Sequence, residues 1–539
     1  MSAMFTRFLG RRRAITATQE DGFAIPAALG IMIVIMIIAA ATFTIVSSNL
    51  YSVNNNAQRQ KAFNIAEAGI NYYLWHLSHN PTDFKDGKTG TVPNDPNLGN
   101  GPFEHKYVDD NAKEQGTYAL YIQRATSGST VAKVRSIGRV KNTDIIRTID
   151  AYIGAPSFAS YGVVSDTALW FGSTEKASGP VHSNQGVRMD GASTADVISA
   201  NTTYVPPSTL GGNGSTSHPG VWCSSTVTTP VNCNTRPKTD WRYPVPSVDF
   251  NAVNGNLCTI KKTAFADNSA TASLATQTNA CSQVPTTRTS SYLPQRATNG
   301  SYNVSRGYLV QLNTNGTYDL FNVNGETDTN TTYTNALTLS ALGSNISIPA
   351  SGVIFAEDNV WVRTNPTYHG RVTIAAGRLA STTNTANITV ADDVLYSTKN
   401  GQDAIGMVAE GSVFIAPYAP PATGSFTFEV DAAMIAQSGP VQYYARYKSN
   451  SNRCTRGWTN SNQQFVFYGA IATRQSWTWT WLLNGSCADA VSIGGGQYTS
   501  GVYNNDTQYD YNLLYAPPPS FPITSSYDIL SWREVLTRP

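Results

Sequence analysis

Charge is scarce in this chain. Lys, Arg, Asp and Glu make up 13% of its 539 residues, about half the usual share. A cytosolic helical protein held soluble by a charged surface is therefore excluded. The net charge of +2 includes the arginines near the start, so no basic stripe remains for a nucleic acid to bind. Cysteine is also sparse, and none of the six forms C-x-x-C, which excludes zinc-ribbon and thioredoxin-type motifs. The six histidines include no H-E-x-x-H pair. Gly87-Lys88-Thr89 ends like a phosphate-binding loop, but Thr82 stands where the first glycine is needed.

Asn, Thr, Ser and Gly take the place of the charged residues, while 41% of the chain is hydrophobic and 11% aromatic. That mixture describes an uncharged polar surface, many turns and large cores, as in secreted β proteins. An even cysteine count in an exported chain points to disulfides. Sequential neighbours close the shortest loops, so the expected pairs are Cys223–Cys233, Cys258–Cys281 and Cys454–Cys487.

The one long hydrophobic run lies near the N-terminus. Arg7, Arg11, Arg12 and Arg13 precede it, followed by the polar stretch Gln19-Glu20-Asp21-Gly22. Residues 23–46 then carry no charge. As a helix they span ~36 Å, enough for a bilayer core. The arginines stay on the cytoplasmic side, which sends the rest of the chain outward. No A-x-A site ends the run, as a signal peptide requires. The candidate processing point, Gly22-Phe23, lies before the run instead. Pro26 falls in the first turn, where its missing N–H costs little. Apolar and small residues from Ala57 to Leu74 recur at three- and four-residue spacing, so one helix of ~80 Å is expected to end near Ser78. His76 and His79 then sit at the helix end, placed to cap carbonyls.

This order of features resembles type IV prepilins, in which a dedicated peptidase cuts after the glycine and the hydrophobic segment is kept. The stretch 62–70, Ala-Phe-Asn-Ile-Ala-Glu-Ala-Gly-Ile, is similar to the A-F-x-x-A-E-A-G-[LI] signature of PilX-like minor pilins. The fifth residue after the cut is Ala27, where most major pilins carry Glu. The resemblance therefore implies a minor subunit, placed at a filament tip, rather than a repeating one. It also implies an α+β fold, with a long pilin helix, a small antiparallel sheet and a large mainly-β head. The implied partners are other pilins through the helix, the inner-membrane assembly machinery, prepilin peptidase, and a surface glycan or host-cell ligand. Nucleic acid is not among them. The same N-terminus serves secretion-system pseudopilins. The implied location is a single pass in the cytoplasmic membrane before assembly, then the extracellular pilus of a bacterium.

The expected layout is a leader over 1–22, a helix over 23–80 with its membrane segment at 23–46, and a pilin-like β subdomain over 81–155. A β-solenoid-like head follows over 156–440, carrying an insertion at 205–350, and an aromatic-rich β region spans 441–539. Residues 81–115 read as a loop, and strands are expected over 117–124, 131–140 and 144–153. From 156 on, strands of three to five residues recur every 8–15 residues, which fits either a β-sandwich or a right-handed parallel β-solenoid. The shortage of two-residue hairpin turns favours the solenoid. Further pieces resembling PilX-like heads are Gly-Pro-Val-His-Ser-Asn at 179–184, residues 246–250, 360–362, 370–374, 510–522 and 531–534.

For chemistry, Glu357, Asp358, Asp392, Asp393, Asp403 and Glu410 are the acids to examine, as polysaccharide-cleaving β-helices converge several acids on one face. That keeps a membrane-anchored carbohydrate-binding or carbohydrate-active β-helix open as an alternative to a non-enzymatic pilin. Structural calcium would use loop oxygens, although the stretches 311–316 and 319–325 lack calcium-loop spacing. No cofactor is otherwise expected. His182 reads as structural, bonding across coils. Trp477, Trp479 and Trp481 alternate with threonines, so a strand puts all three indoles on one face. That face is a candidate sugar-stacking surface or part of a core.

Overall fold

The computed structural model describes residues 24–80, 83–124, 131–296, 306–326, 336–381, 383–419, 425–443, 463–484, 491–494, 497–502, 504–524 and 527–536. The processing point Gly22-Phe23 lies outside the described residues, as do Cys454 and Cys487.

Helix α1, Ala24–His79, runs for 56 residues. Among the described residues its first half stands free: Ile25, Leu29, Phe43, Leu50 and Val53 are all more than half exposed. Its second half is packed. Ala62, Ile65, Ala66, Ile70, Tyr73 and Leu77 follow the three-four spacing and are buried against a six-stranded antiparallel sheet. Small residues set how close the sheet can come. A Cβ on Gly138 would lie 2.3 Å from the Ala62 carbonyl oxygen and 2.4 Å from the Ala66 nitrogen. A Cβ on Gly69 would meet the Ser136 Oγ at 2.3 Å.

Four strands of this sheet are Gly99–Val108, Glu114–Arg124, Ala132–Val140 and Ile146–Gly154, with Asn94–Asp95 at one edge. Three match the expected strands within a few residues. The fourth, Gly99–Val108, replaces part of the expected 81–115 loop. It was hidden by turn residues, which here build an irregularity: Gly99 and Gly101 take φ of +86° and +131°, and the register to the next strand shifts between Asn100 and Phe103. Side chains cannot follow a backbone with such φ values, so glycine is needed there.

The other edge of the sheet is Asp528–Val535, which pairs antiparallel with Ile146–Gly154. The aromatic-rich region expected over 441–539 is therefore divided between two bodies. Residues 463–509 belong to the head, and the final strand returns to the sheet on the helix. The head is inserted between two neighbouring strands.

In the head, the chain alternates between sheets. Val353–Ala356, Arg371–Ala376, Ala404–Ala409, Phe426–Ala436 and Gln463–Thr473 stack in an eleven-stranded sheet whose pairs are all parallel. The intervening strands, Asn359–Asn365, Ile388–Val390, Val413–Ile415 and Val441–Tyr443, stack in parallel in a seven-stranded sheet. Residues 163–242 do the same, alternating between the eleven-stranded sheet and a three-stranded parallel one. The two series meet where Ile471–Thr473 pairs with Val163–Ser165. One apolar cluster runs through both, from Val163 and Val221 to Ile354 and Phe467.

The expected 205–350 insertion is partly merged into this stack. Gly307–Asn313 joins the seven-stranded sheet beside Asn359–Asn365 and forms a hairpin with Thr317–Glu326. Helix α2, Ala252–Ala266, was not anticipated. It lays Leu257, Ile260, Ala264 and Phe265 over the outer face of the long sheet, against Val353, Phe355 and Tyr292. That cover explains why Val353–Ala356 is buried on both faces.

Gly138→Val would force a side chain into the backbone of α1. It is expected to destabilise the protein by about 2–4 kcal/mol in urea denaturation. Gly325→Ala, with its nearest neighbour at 3.9 Å, should change stability by under about 1 kcal/mol.

Candidate functional site

Two kinds of surface could carry function: the free half of α1 and the outside of the head. Among the described residues, α1 is the one helix long and apolar enough to cross a membrane. Within the 62–70 stretch, Ala62, Ile65, Ala66, Gly69 and Ile70 face the sheet while Glu67 points to solvent. The close approach that small residues allow is thus used by the chain's own sheet. At the helix end, His76 Nε2 lies 3.0 Å from Asp83 Oδ2, and the His79 Nδ1 donates to the Trp75 carbonyl at 2.8 Å.

Of the six head acids, Glu357, Asp358 and Glu410 lie around Lys261 and Arg378, while Asp392, Asp393 and Asp403 hold other turns. Each accepts at least one hydrogen bond from its surroundings. Asp403 accepts from the Gly370 and Thr398 amides at 2.8 and 2.7 Å. Asp393 accepts from the Glu429 amide at 2.8 Å, and Asp392 from the Asp393 amide at 2.9 Å. Glu410 accepts from the Arg378 amide at 2.6 Å. Asp358 accepts from the Arg296 amide and pairs with Arg378 at 3.2 Å. These bonds fix successive turns of the stack. No group of three or more metal-binding side chains occurs among the described residues.

Glu357 differs, because its partner is a buried lysine. α2 places Lys261, fully buried, in an ion pair with Glu357, itself 1% exposed. The Tyr292 hydroxyl donates to the same carboxylate at 3.3 Å, and Lys261 Nζ also donates to the Cys281 carbonyl at 2.9 Å. The Cys258–Cys281 disulfide ties that carbonyl's turn to the helix. Burial pushes the Glu357 carboxyl up to about 7, against the opposing pull of Lys261. Burial likewise lowers the Lys261 ammonium. The pair anchors α2 to the long sheet.

His182 is buried, and burial lowers its pKa. Its ring bonds Asn184 Oδ1 at 3.1 Å within its own coil, not across coils as expected. Asn184 makes the wider link, exchanging bonds of 2.8 and 2.9 Å with the backbone of Val248. Cys223–Cys233 and Cys258–Cys281 are both bonded, with Cα separations of 5.8 and 5.2 Å.

The expected tryptophan face is turned inward. Trp479 and Trp481 are 4% and 8% exposed and belong to the main core, while Trp477 is half-buried against Phe171. Other aromatics face outward. Trp170, Arg188 and Trp222 occupy matching positions on three adjacent parallel strands. The Arg188 guanidinium lies 4.8 Å from the Trp170 ring centre and 5.1 Å from that of Trp222. Asp190 ties the row together, accepting from Arg188 Nε at 2.7 Å and Trp170 Nε1 at 3.0 Å. The signal was present in the sequence. In Leu-Trp-Phe at 169–171 and Val-Arg-Met at 187–189, apolar residues flank an outward middle one.

No protein-family model matches this chain, and no curated protein matches it. Among solved structures, the crystal structure of competence-associated pilin ComZ from Thermus thermophilus aligns over 89% of this chain and 98% of that one, at 11% identity and a TM-score of 0.29. That likeness is too loose to transfer fold or function.

Replacing Lys261 with Met leaves Glu357 buried without its cation, which should cost about 3–5 kcal/mol near neutral pH. The folded-state pKa of Glu357 already stands above its ordinary 4.5, and losing the lysine raises it further. The folded form then holds a proton that the unfolded form releases, so stability falls as pH rises above about 4.5. Urea midpoints should therefore show a larger loss at pH 8 than at pH 5. A loss independent of pH would contradict this account.

Proposed function

We propose that this chain is a non-enzymatic minor type IV pilin of the PilX-like kind, whose head serves contact at or near a filament tip. The supporting observation is the division of α1 into a half clamped by an antiparallel sheet and a half left exposed among the described residues. Some thirty residues of exposed apolar helix need either a bilayer or other helices around them. A pilin meets both needs in turn, the bilayer before assembly and neighbouring pilin helices after it.

Ala27 supports a minor role, because the first turn of α1 carries no acid to offset a neighbour's N-terminal amine. The size of the head supports it too, since a repeated subunit must pack its head against copies of itself. We read the head as a single parallel β-solenoid, from the regular alternation of strands between sheets. The non-enzymatic reading rests on the head acids, which are engaged in holding turns. On this reading the protein is a substrate of prepilin peptidase and crosses the cytoplasmic membrane once, with its head outside. It then enters an extracellular filament with other pilins.

N-terminal sequencing of the protein recovered from sheared filaments should begin at Phe23. Gly22→Val should leave residues 1–22 attached and remove the protein from filaments. An uncleaved wild-type protein that never enters filaments would overturn the proposal. Recovery from a secretion pseudopilus instead would keep the assembly mechanism and change the machine.

A further inference from the structure

The strands Val221–Trp222 and Trp241–Arg242 close one end of the parallel stack, each being the last strand of its sheet. Between them opens a cleft of about 310 Å³, lined chiefly by His218, Trp222, Lys238, Trp241 and Tyr243. This volume is at the small end of ligand sites, which run from about 300 to 1,000 Å³.

The walls are aromatic and held in place. His218 stacks on Trp222 with ring centres 3.7 Å apart and planes 14° apart. Trp222 Nε1 donates to the Tyr204 hydroxyl at 2.9 Å, and Arg188 lies against the same indole. The Cys223–Cys233 disulfide closes the loop that leaves Trp222. Lys238 Nζ stands 5.4 Å from the Trp241 ring centre. Fixed aromatic walls need no ordering when a ligand arrives.

The polar tips around these walls are unused. Among the described residues, the imidazole of His218, the Lys238 ammonium, the Trp241 N–H and the Tyr243 hydroxyl make no hydrogen bond or ion pair. A site with flat apolar walls and several free polar tips suits a pyranose, whose C–H face stacks while its hydroxyls bond at the rim. The surrounding charge is largely balanced: Arg188 pairs with Asp190 at 2.7 Å, and Arg242 with Asp196 at 3.0 Å. Arg236 bonds backbone carbonyls, including that of Gly191 at 2.7 Å, and its guanidinium lies 5.3 Å from the Trp241 ring centre. A nucleic-acid strand wants a basic track, and this end of the stack offers one unpaired ammonium in the cleft.

We propose that this cleft binds a short saccharide containing an acidic pyranose. The ring rests against Trp241 and Tyr243, and its carboxylate meets Lys238. The inference deepens the contact role proposed for the head. It is read on purified protein, so it stands or falls separately from pilus assembly.

The test uses the full chain in lipid nanodiscs, free of glycoside detergents, with titration calorimetry. The probes are methyl glucuronide, methyl galacturonide and their neutral hexose counterparts. Wild-type protein should bind at least one uronide saturably and more tightly than its neutral counterpart. Trp241→Ala should weaken binding about tenfold. Lys238→Met should erase the preference for the uronide while leaving neutral-sugar binding in place. Tyr511→Ala, on an exposed aromatic elsewhere, should change nothing. If Trp241→Ala fails to fold, Lys238→Met and Tyr243→Phe carry the test, the latter weakening binding by loss of one hydroxyl. The proposal is overturned by no saturable binding of any of these sugars at about 10 mM. It is equally overturned by unchanged affinity in the folded cleft variants, or by a single-stranded oligonucleotide that binds the cleft in preference to the uronides.

Discussion

The architecture depends on one strand pairing, that of Asp528–Val535 with Ile146–Gly154. It obliges the head to leave and rejoin the body at the same place. The two crossing segments are themselves joined: Phe158 N donates to the Pro522 carbonyl at 3.0 Å, and Thr524 N to the Pro156 carbonyl at 2.8 Å. A parallel stack ordinarily begins at one end and finishes at the other, which would separate its termini by its full length. This one begins in the middle. Residues 163–242 build outward to one end, residues 243–291 carry the chain to the far end, and residues 353–473 build back to the start. The contact between Ile471–Thr473 and Val163–Ser165 then seals the two series into one sheet and one core.

The same pairing explains the electrostatics of the body. Asp150, on the strand that receives the C-terminal partner, is 2% exposed. Burial alone would raise its pKa, but the Arg135 guanidinium, bound at 2.6 and 2.8 Å, and nearby Lys133 hold it below the ordinary carboxylate range. Arg147 pairs with Glu534 across the joint, and Trp532 reaches back to Phe63 on α1, ring centres 6.0 Å apart. In a chain with so few charges, several meet where these two distant segments are stitched together. A cation on one strand and an acid on its neighbour also disfavour other registers, which apolar alternation alone fixes only to within an even shift.

What the sequence made legible follows contact range. α1 could be read to within a residue or so of its end, because its three-four spacing is local. The strands around Tyr118, Ile137 and Ile149 were legible from alternation. The paired cysteines 223 and 233, and 258 and 281, were legible because each loop is short. Three things were not. Gly138 looks like any strand glycine until Ala62 and Ala66 lie against it. Asp528–Val535 cannot be assigned to the body from its own residues, since its partner, Ile146–Gly154, lies far away in the sequence. α2 was masked by the weak helix formers Asn254, Gly255 and Asn256 in a Ser/Thr/Asn-rich surrounding, and its helical state is supported by packing on Phe355 and by the Cys258–Cys281 link rather than by propensity.

The acids of the head show that one pattern can serve a structural role as well as a chemical one. Glu357-Asp358, Asp392-Asp393, Asp403 and Glu410 lie in or beside the links between stacked strands. A tight turn between parallel strands, however, leaves amides pointing away from any strand partner, and burying them unpaired is costly. A carboxylate is the strongest acceptor available, and one placed at each corner satisfies those amides. Buried acids are therefore expected at tight turns whether or not chemistry occurs there. Charged residues are rare in this chain, and these six acids are engaged in holding turns. The outward-facing rows carry aromatics instead, so recognition is better sought in the middle residues of the apolar-flanked triplets than at the acids.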